Sequence, residues 1–225
     1  LSQYVNPKAL QKKWQKKWAE AKLFESEPKE DQEKYFVNCP YPYMNGYLHL
    51  GHAFTYLRAD MVSRYQRMKN KNVLFPFAFH CTGTPIVAAA QRVKEGEETQ
   101  IKALKQMGLS DTLIKKFSKP EEWTKYFPGK AIQDLKEFGA SVDWRRSFIT
   151  TSLNPPYDNF IRWQFNQLLA KEYLIKGSFP VVWCPKRETV VGDHDRLSGE
   201  GETPQEYTLL KFKGEEYSLV AATLR

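Results

Sequence analysis

Twice between residues 35 and 95 a short β-branched and aromatic run gives way to a longer stretch with helical spacing. This alternation limits the fold more than any other feature. Tyr35-Phe36-Val37-Asn38-Cys39 reads as a strand, ended by Pro40 and Pro42. Pro42 and Gly46 hold the next stretch in a loop. From His49 to about Met68, Phe54, Leu57, Met61, Tyr65 and Met68 keep helical spacing. The turn Lys69-Asn70-Lys71-Asn72 leads to a second strand, Val73 to Phe77, and the Gly83–Pro85 turn to a helix from Ile86 to about Glu95. Strand, helix, strand, helix in that order predicts parallel strands with right-handed crossovers, the opening of a doubly wound α/β sheet.

The flanking chain fits around this unit. Leu10, Trp14 and Trp18 recur at i, i+4 and i+8 with lysines on the other face, so 7–23 is predicted to be an amphipathic helix, followed by a polar linker over 25–34. Residues 98–140 read as short helices with breaks near Gly108-Leu109-Ser110-Asp111 and at Pro128-Gly129, and Ser110 and Ser118 are candidate N-caps. A strand with a turn is expected over 142–151 and a helix over 155–172. Beyond that the pattern changes. Ile175, Val181-Val182-Trp183, Thr189-Val190-Val191, Tyr207 to Phe212 and Tyr217 to Val220 read as short strands between Gly and Pro turns. Two parts are expected: 1–174, an N-terminal helix and the first half of a Rossmann-like domain with a helical segment, and 175–225, mostly β.

The 225 residues are 41% hydrophobic, enough for a real core. The net charge of +8 suits a polyanionic partner such as RNA, or a solvated basic surface; the lysines fall in short runs rather than one tract. Cys39, Cys81 and Cys184 are odd in number and far apart, which argues against a disulfide framework and for a reducing compartment. Without an apolar run long enough to span a bilayer, or a signal-peptide pattern, the chain reads as a soluble cytoplasmic protein with no membrane role. It opens at Leu1 and stops at Arg225 directly after a strand-like run, so it reads as part of a longer protein.

His49-Leu50-Gly51-His52 falls where the first strand has ended and the first crossover helix begins, the carboxyl edge of the sheet where such folds bind ligands. A helix N-terminus there offers unpaired N–H groups and partial positive charge to a phosphate. Two imidazoles three residues apart share a helix face and can donate to phosphate oxygens. Gly51 lets a flat base or ribose approach the backbone. The rival readings are ordinary surface histidines or a zinc site. Zinc needs further ligands, and Cys39, Cys81 and His194 have no CxxC or HxxxH spacing to supply them.

These residues carry a resemblance. His49-Leu50-Gly51-His52 is similar to the HIGH motif of class I aminoacyl-tRNA synthetases. Phe79-His80-Cys81-Thr82-Gly83-Thr84-Pro85-Ile86 resembles the FHCTG-x-PI segment of the archaeal and eukaryotic leucine enzymes. Val142 to Thr151 resembles a segment shared by the leucine, isoleucine and valine enzymes. Gly192 to Gly201, with Pro204 to Leu209, resembles the eukaryotic cytosolic leucine type. The resemblance implies that His49 and His52 are catalytic, binding ATP phosphates and stabilising the transition state, and that Tyr43, Asn45 and Gly51 complete the ATP contacts. It implies an amino-acid pocket at the two strand ends, formed by Cys39, Pro40, Tyr41, Tyr43 and His80. The bland alternative makes the aromatics core filler and His80 a satisfied buried histidine.

An apolar pocket separates leucine from its isosteres by only about 1–3 kcal/mol, so such an enzyme needs a second, hydrolytic sieve. The 175–225 part resembles the entry to the family's editing domain, with Thr223 as a candidate editing residue. Trp183-Cys184-Pro185-Lys186-Arg187 resembles WCPxC zinc segments, but Arg187 replaces the second Cys, and no zinc is expected. The second ATP signature, KMSKS, is not in the chain, so the piece alone is expected to be nearly inactive. The implied activity is leucine–tRNA ligation with ATP and Mg2+, with tRNA(Leu) and leucine as partners, by a monomer or a member of a multi-synthetase assembly. The rivals are the isoleucine or valine enzyme, a non-catalytic synthetase-derived module binding RNA or protein, and a different HxGH nucleotidyltransferase.

Overall fold

The structure, a computed structural model, describes residues 6–178, 180–185, 188–192 and 207–223. Strand β1 (Lys34–Phe36) pairs in parallel with β2 (Asn72–Leu74), and β3 (Ala78–Phe79) with β4 (Phe148–Ile149). Single bonds extend both ladders. Val37 N–H donates to Leu74 O at 2.9 Å, His80 N–H to Pro42 O at 2.8 Å and Met44 N–H to His80 O at 3.1 Å. On the other side Asp143 N–H donates to Phe75 O at 2.9 Å and Thr150 N–H to Phe79 O at 3.1 Å. Three parallel segments, 34–44, 72–80 and 143–150, therefore lie side by side with 72–80 in the middle. Val73, Phe75, Phe77 and Phe79 are buried on one face, while Leu74 and Pro76 on the other are half-buried and Ala78 is buried.

The expected strand Val73 to Phe77 is instead split, with β2 ending at Leu74 and β3 beginning at Ala78. Pro76 lies in the gap and cannot donate to a ladder. Likewise β1 is shorter than expected, and the chain after it stays extended through Pro40 and Pro42 without forming a regular strand.

Helix α2 (Leu50–Met68) crosses from the first segment to the second; α3 (Thr84–Lys94), α4 (Glu98–Gln106), α5 (Asp111–Lys116) and α6 (Pro120–Phe138) lead to the third. The break near Gly108 exists, and Ser110 caps α5 by accepting Leu113 N–H at 3.3 Å. The break expected at Pro128-Gly129 does not: α6 runs through it. Trp123, Phe127, Ala131 and Leu135 recur every four residues across the proline, all buried, and this continuous apolar stripe offsets the lost backbone bond. Ser118 is not the cap of α6; its hydroxyl donates to Lys115 O at 2.9 Å and closes α5 instead.

Two buried carboxylates fix the return into the third segment. Asp60 of α2 accepts Ser141 N–H at 2.6 Å and Arg64 Nε at 2.7 Å. Asp143 accepts Ser26 N–H at 3.1 Å and Arg145 Nη2 at 2.8 Å. Burial pushes the Asp143 carboxyl up, but the hydrogen bonds from Arg145 and Ser26 outweigh it and hold it below the usual carboxylate range. Helix α1 (Pro7–Glu20), capped by Asn6, docks on the end of α6, where Gln15 donates to Glu137 O at 2.7 Å. Helix α7 (Pro155–Ala170) comes after β4.

The chain forms two compact units, Leu1–Lys171 and Glu172–Arg225. The second contains two antiparallel pairs, β5 (Trp183–Cys184) with β6 (Thr189–Val190), and β7 (Thr208–Lys213) with β8 (Ser218–Thr223). Ile175, expected in a strand, lies outside any. Lys186, Arg187 and residues 193–206, including His194, lie outside the described residues.

Candidate functional site

The carboxyl ends of the three parallel segments meet at one edge. Tyr43 bridges to His80 across the first two, and Thr150 N–H reaches Phe79 O from the third. Tyr43 and His80 stack, ring centroids 4.1 Å apart and 30° from parallel. Tyr41 lies edge-on to Phe148 at 5.8 Å and tilted against Phe77 at 6.2 Å. Of the expected pocket residues, Tyr41, Tyr43 and His80 therefore gather at this edge. Cys39 is buried and Pro40 exposed, and both line an open groove between β1 and α2 together with Thr55 and Arg58. Burial pushes the Cys39 thiol up to about 11 and the Cys81 thiol up to about 12, so both stay protonated near neutral pH.

Helix α2 begins with a reciprocal cap. His49 is the N-cap residue, in extended backbone, rather than part of the helical face expected from the sequence. Its Nδ1 accepts Gly51 N–H at 3.1 Å, and His52 Nδ1 accepts the His49 N–H at 3.2 Å. The rings meet at 3.9 Å. One of the N–H groups at the helix N-terminus, that of Gly51, is thus taken by His49. An accepting Nδ1 carries no proton, so each neutral ring holds its proton on Nε2. Burial, and then the neighbouring His49, lower the His52 pKa and favour that neutral form. His52 also stacks over the buried Tyr56 at 5.9 Å, which itself lies edge-on to Phe77 at 4.9 Å. A line of rings thereby joins the histidine pair to the strand ends.

Gly51 has a second reason to be glycine. A Cβ there would lie 2.9 Å from His49 Cε1, closer than such contacts occur. Gly83, with φ of +93°, allows the turn from the His80 strand end into α3. Asn45 is exposed beside the buried Met44, and the loop is anchored by Tyr47, whose hydroxyl lies 3.0 Å from that of Tyr126 on α6.

Sequence reasoning missed three contributors. Thr82 Oγ1 lies 3.2 Å from His80 Nδ1, Thr150 Oγ1 accepts Cys81 N–H at 2.9 Å, and Tyr56 supports His52. Thr82 and Thr150 both lie inside family-like motifs, and nothing in their spacing showed that they converge. Thr223 ends β8 opposite Thr208 in the second unit. Among the described residues no three His, Cys, Asp or Glu side chains lie together as metal ligands, and no helix is long and apolar enough to cross a membrane.

Known proteins are similar to this chain in sequence and in fold. Residues 13–207 match the family model described as tRNA synthetases class I (I, L, M and V). The chain is 50% identical over 210 residues to the leucine–tRNA ligase of Aeropyrum pernix, covering 93% of this chain and 22% of that protein. It is 41% identical over 282 residues to the cytoplasmic leucine–tRNA ligase of Pongo abelii, covering 97% of this chain and 24% of that protein. Among solved structures, a ternary complex of an Agrobacterium radiobacter LeuRS with tRNA and LeuAMS aligns with a TM-score of 0.60 at 24% identity, over 80% of this chain and 20% of that one. The chain thus spans under a quarter of the length of these relatives.

Proposed function

Since the chain belongs to the class I tRNA synthetases of the isoleucine, leucine, methionine and valine group, we propose that it carries the first half of the activation site of a leucine–tRNA ligase. The names of the relatives at 50% and 41% identity support leucine over its isosteres. The geometric observation that carries the reading is the reciprocal His49–His52 cap at the sheet's carboxyl edge, beside the Tyr43–His80 stack.

In this reading the leucine carboxylate attacks the α-phosphorus of ATP. An O–P bond forms, the α–β bridging O–P bond breaks, and pyrophosphate leaves with the bond's electrons. His49 and His52 present Nε2–H donors to phosphate oxygens as charge builds on them; fixed donors of this kind are worth several kcal/mol. Tyr43, Asn45 and Gly51 line the nucleotide, while Cys39, Pro40, Tyr41, Tyr43 and His80 line the amino acid. A ribose hydroxyl of the terminal adenosine of tRNA then attacks the leucyl carbonyl; the ester bond forms, the acyl–phosphate C–O bond breaks and AMP leaves. Residues 175–225 would lead into an editing domain, with Thr223 on its approach. The cytoplasmic name of the Pongo abelii relative supports a cytoplasmic location.

The test is amino-acid-dependent exchange of labelled pyrophosphate into ATP by the full-length protein, across the twenty amino acids. Leucine is expected to support exchange best, and His52→Ala to slow it by about 10²–10³-fold with circular dichroism unchanged. Faster exchange with isoleucine or valine sinks the leucine assignment. An unaffected rate removes His52 from the chemistry, and exchange with none of the twenty favours a non-catalytic module.

A further inference from the structure

His80 is held by a short polar relay as well as by its stack on Tyr43. Thr82 Oγ1 lies 3.2 Å from His80 Nδ1 and 3.3 Å from Thr150 Oγ1. Thr150 Oγ1 is in turn pinned by the Cys81 N–H at 2.9 Å. Thr150 is buried at the end of the third parallel segment, and its own N–H is committed to Phe79 O. The relay therefore joins the carboxyl ends of two segments through side chains, just where their backbone ladder stops.

The two contacts on His80 do different things. Stacking on Tyr43 fixes the plane of the ring but leaves it free to turn over within that plane, since an imidazole presents a similar face either way. A hydrogen bond at Nδ1 removes that freedom. It selects one of the two flipped states and so decides whether Nε2 or a carbon stands at the far corner of the ring. Burial lowers the His80 pKa, so at neutral pH the ring has one donor and one acceptor nitrogen and the flip matters.

We infer that Thr82, held in place by Thr150, is a positioning residue that sets the orientation of His80 and through it the binding of the amino acid. This rests on the reading of His80 as part of the leucine pocket. Thr82 touches the ring and not the reacting atoms, so its loss acts on leucine binding rather than on the phosphoryl chemistry.

The experiment is pyrophosphate exchange by the full-length protein, with KM for leucine, KM for ATP and kcat determined separately. Thr82→Val keeps the shape and removes the hydroxyl; it is expected to raise KM for leucine about five- to tenfold, the cost of one hydrogen bond, with KM for ATP and kcat changed less than twofold. Thr82→Ser restores the hydroxyl and is expected to return KM for leucine close to the parent value. In a His80→Ala background, Thr82→Val is expected to add nothing. A Thr82→Val protein with unchanged KM for leucine overturns the inference while leaving His80 in the pocket, provided His80→Ala itself raises that KM. If the serine variant behaves like the valine variant, the methyl and its packing matter, and the relay is overturned. If His80→Ala leaves KM for leucine unchanged, the pocket assignment of His80 fails and the relay loses its role with it.

Discussion

At the scale of the residue, the site is built from side chains that hold one another before they hold any ligand. His49 and His52 each spend Nδ1 on a backbone N–H, which puts the proton of each neutral ring on Nε2. The geometry gives Gly51 a steric role: a methyl there presses on the His49 ring at 2.9 Å and forces it off its cap. Gly51→Ala is therefore expected to slow exchange by about tenfold or more, and to add little to a His49→Ala variant that has no ring to displace. Measuring kcat/KM for ATP across this four-protein cycle checks it. A full penalty in the His49→Ala background would instead assign the glycine to the approach of the nucleotide. The histidine motif was legible in the sequence because its spacing and its place after a proline-ended strand are local facts. Its reciprocal cap was not, since the position of Nδ1 depends on rotamers that spacing does not set.

At the scale of the element, α2 is the platform. It presents the histidine cap at one end, and three turns later Asp60 ties it to the turn after α6. Removing that carboxylate strands the buried Ser141 N–H and unpairs Arg64. Asp60→Ala is expected to destabilise the fold by about 2–3 kcal/mol, read as a lower urea midpoint with unchanged slope. A loss under about 0.5 kcal/mol would show that water replaces the carboxylate. The elements themselves were largely legible: α1, α2, α3, α5 and α7 lie where periodicity and Ser110 put them. Two of the failures were at prolines. Pro76 ended a ladder that apolar alternation alone would have continued, while Pro128 failed to end a helix because its neighbours at 123, 127, 131 and 135 are buried. The same residue type breaks or is tolerated according to the packing on either side of it.

At the scale of the whole molecule, the histidines make stability depend on pH. His52 and His80 both have pKa values lowered by burial. Between those lowered values and the free-histidine value of about 6.5, the unfolded chain binds more protons than the folded one, so stability rises with pH in that window. It is complete above about pH 7 and is lost as the pH falls below about 6.5. Asp143, held low, acts in a separate window below about pH 4, where its protonation costs stability as the pH falls. The urea midpoint is expected to drop between about pH 7 and about pH 5.5, with a shallower drop in a His52→Ala, His80→Ala protein. A midpoint flat across that range would mean that the rings titrate as they do in water.

The sequence by itself determined the order of strands and helices, the parallel sense of the strands, the histidine pair at a strand-to-helix turn and the motifs that mark the family. All of these are carried by neighbours a few residues apart, whose spacing the chain's own geometry converts into a face, a turn or a cap. The tertiary structure alone decided that Tyr43, His80, Thr82 and Thr150 share one edge, and that Asp60 and Asp143 lock the third segment in place. Those groups come from segments up to about a hundred residues apart. They meet because the 72–80 segment bonds to a parallel neighbour on each side, which brings the carboxyl ends of all three segments into register.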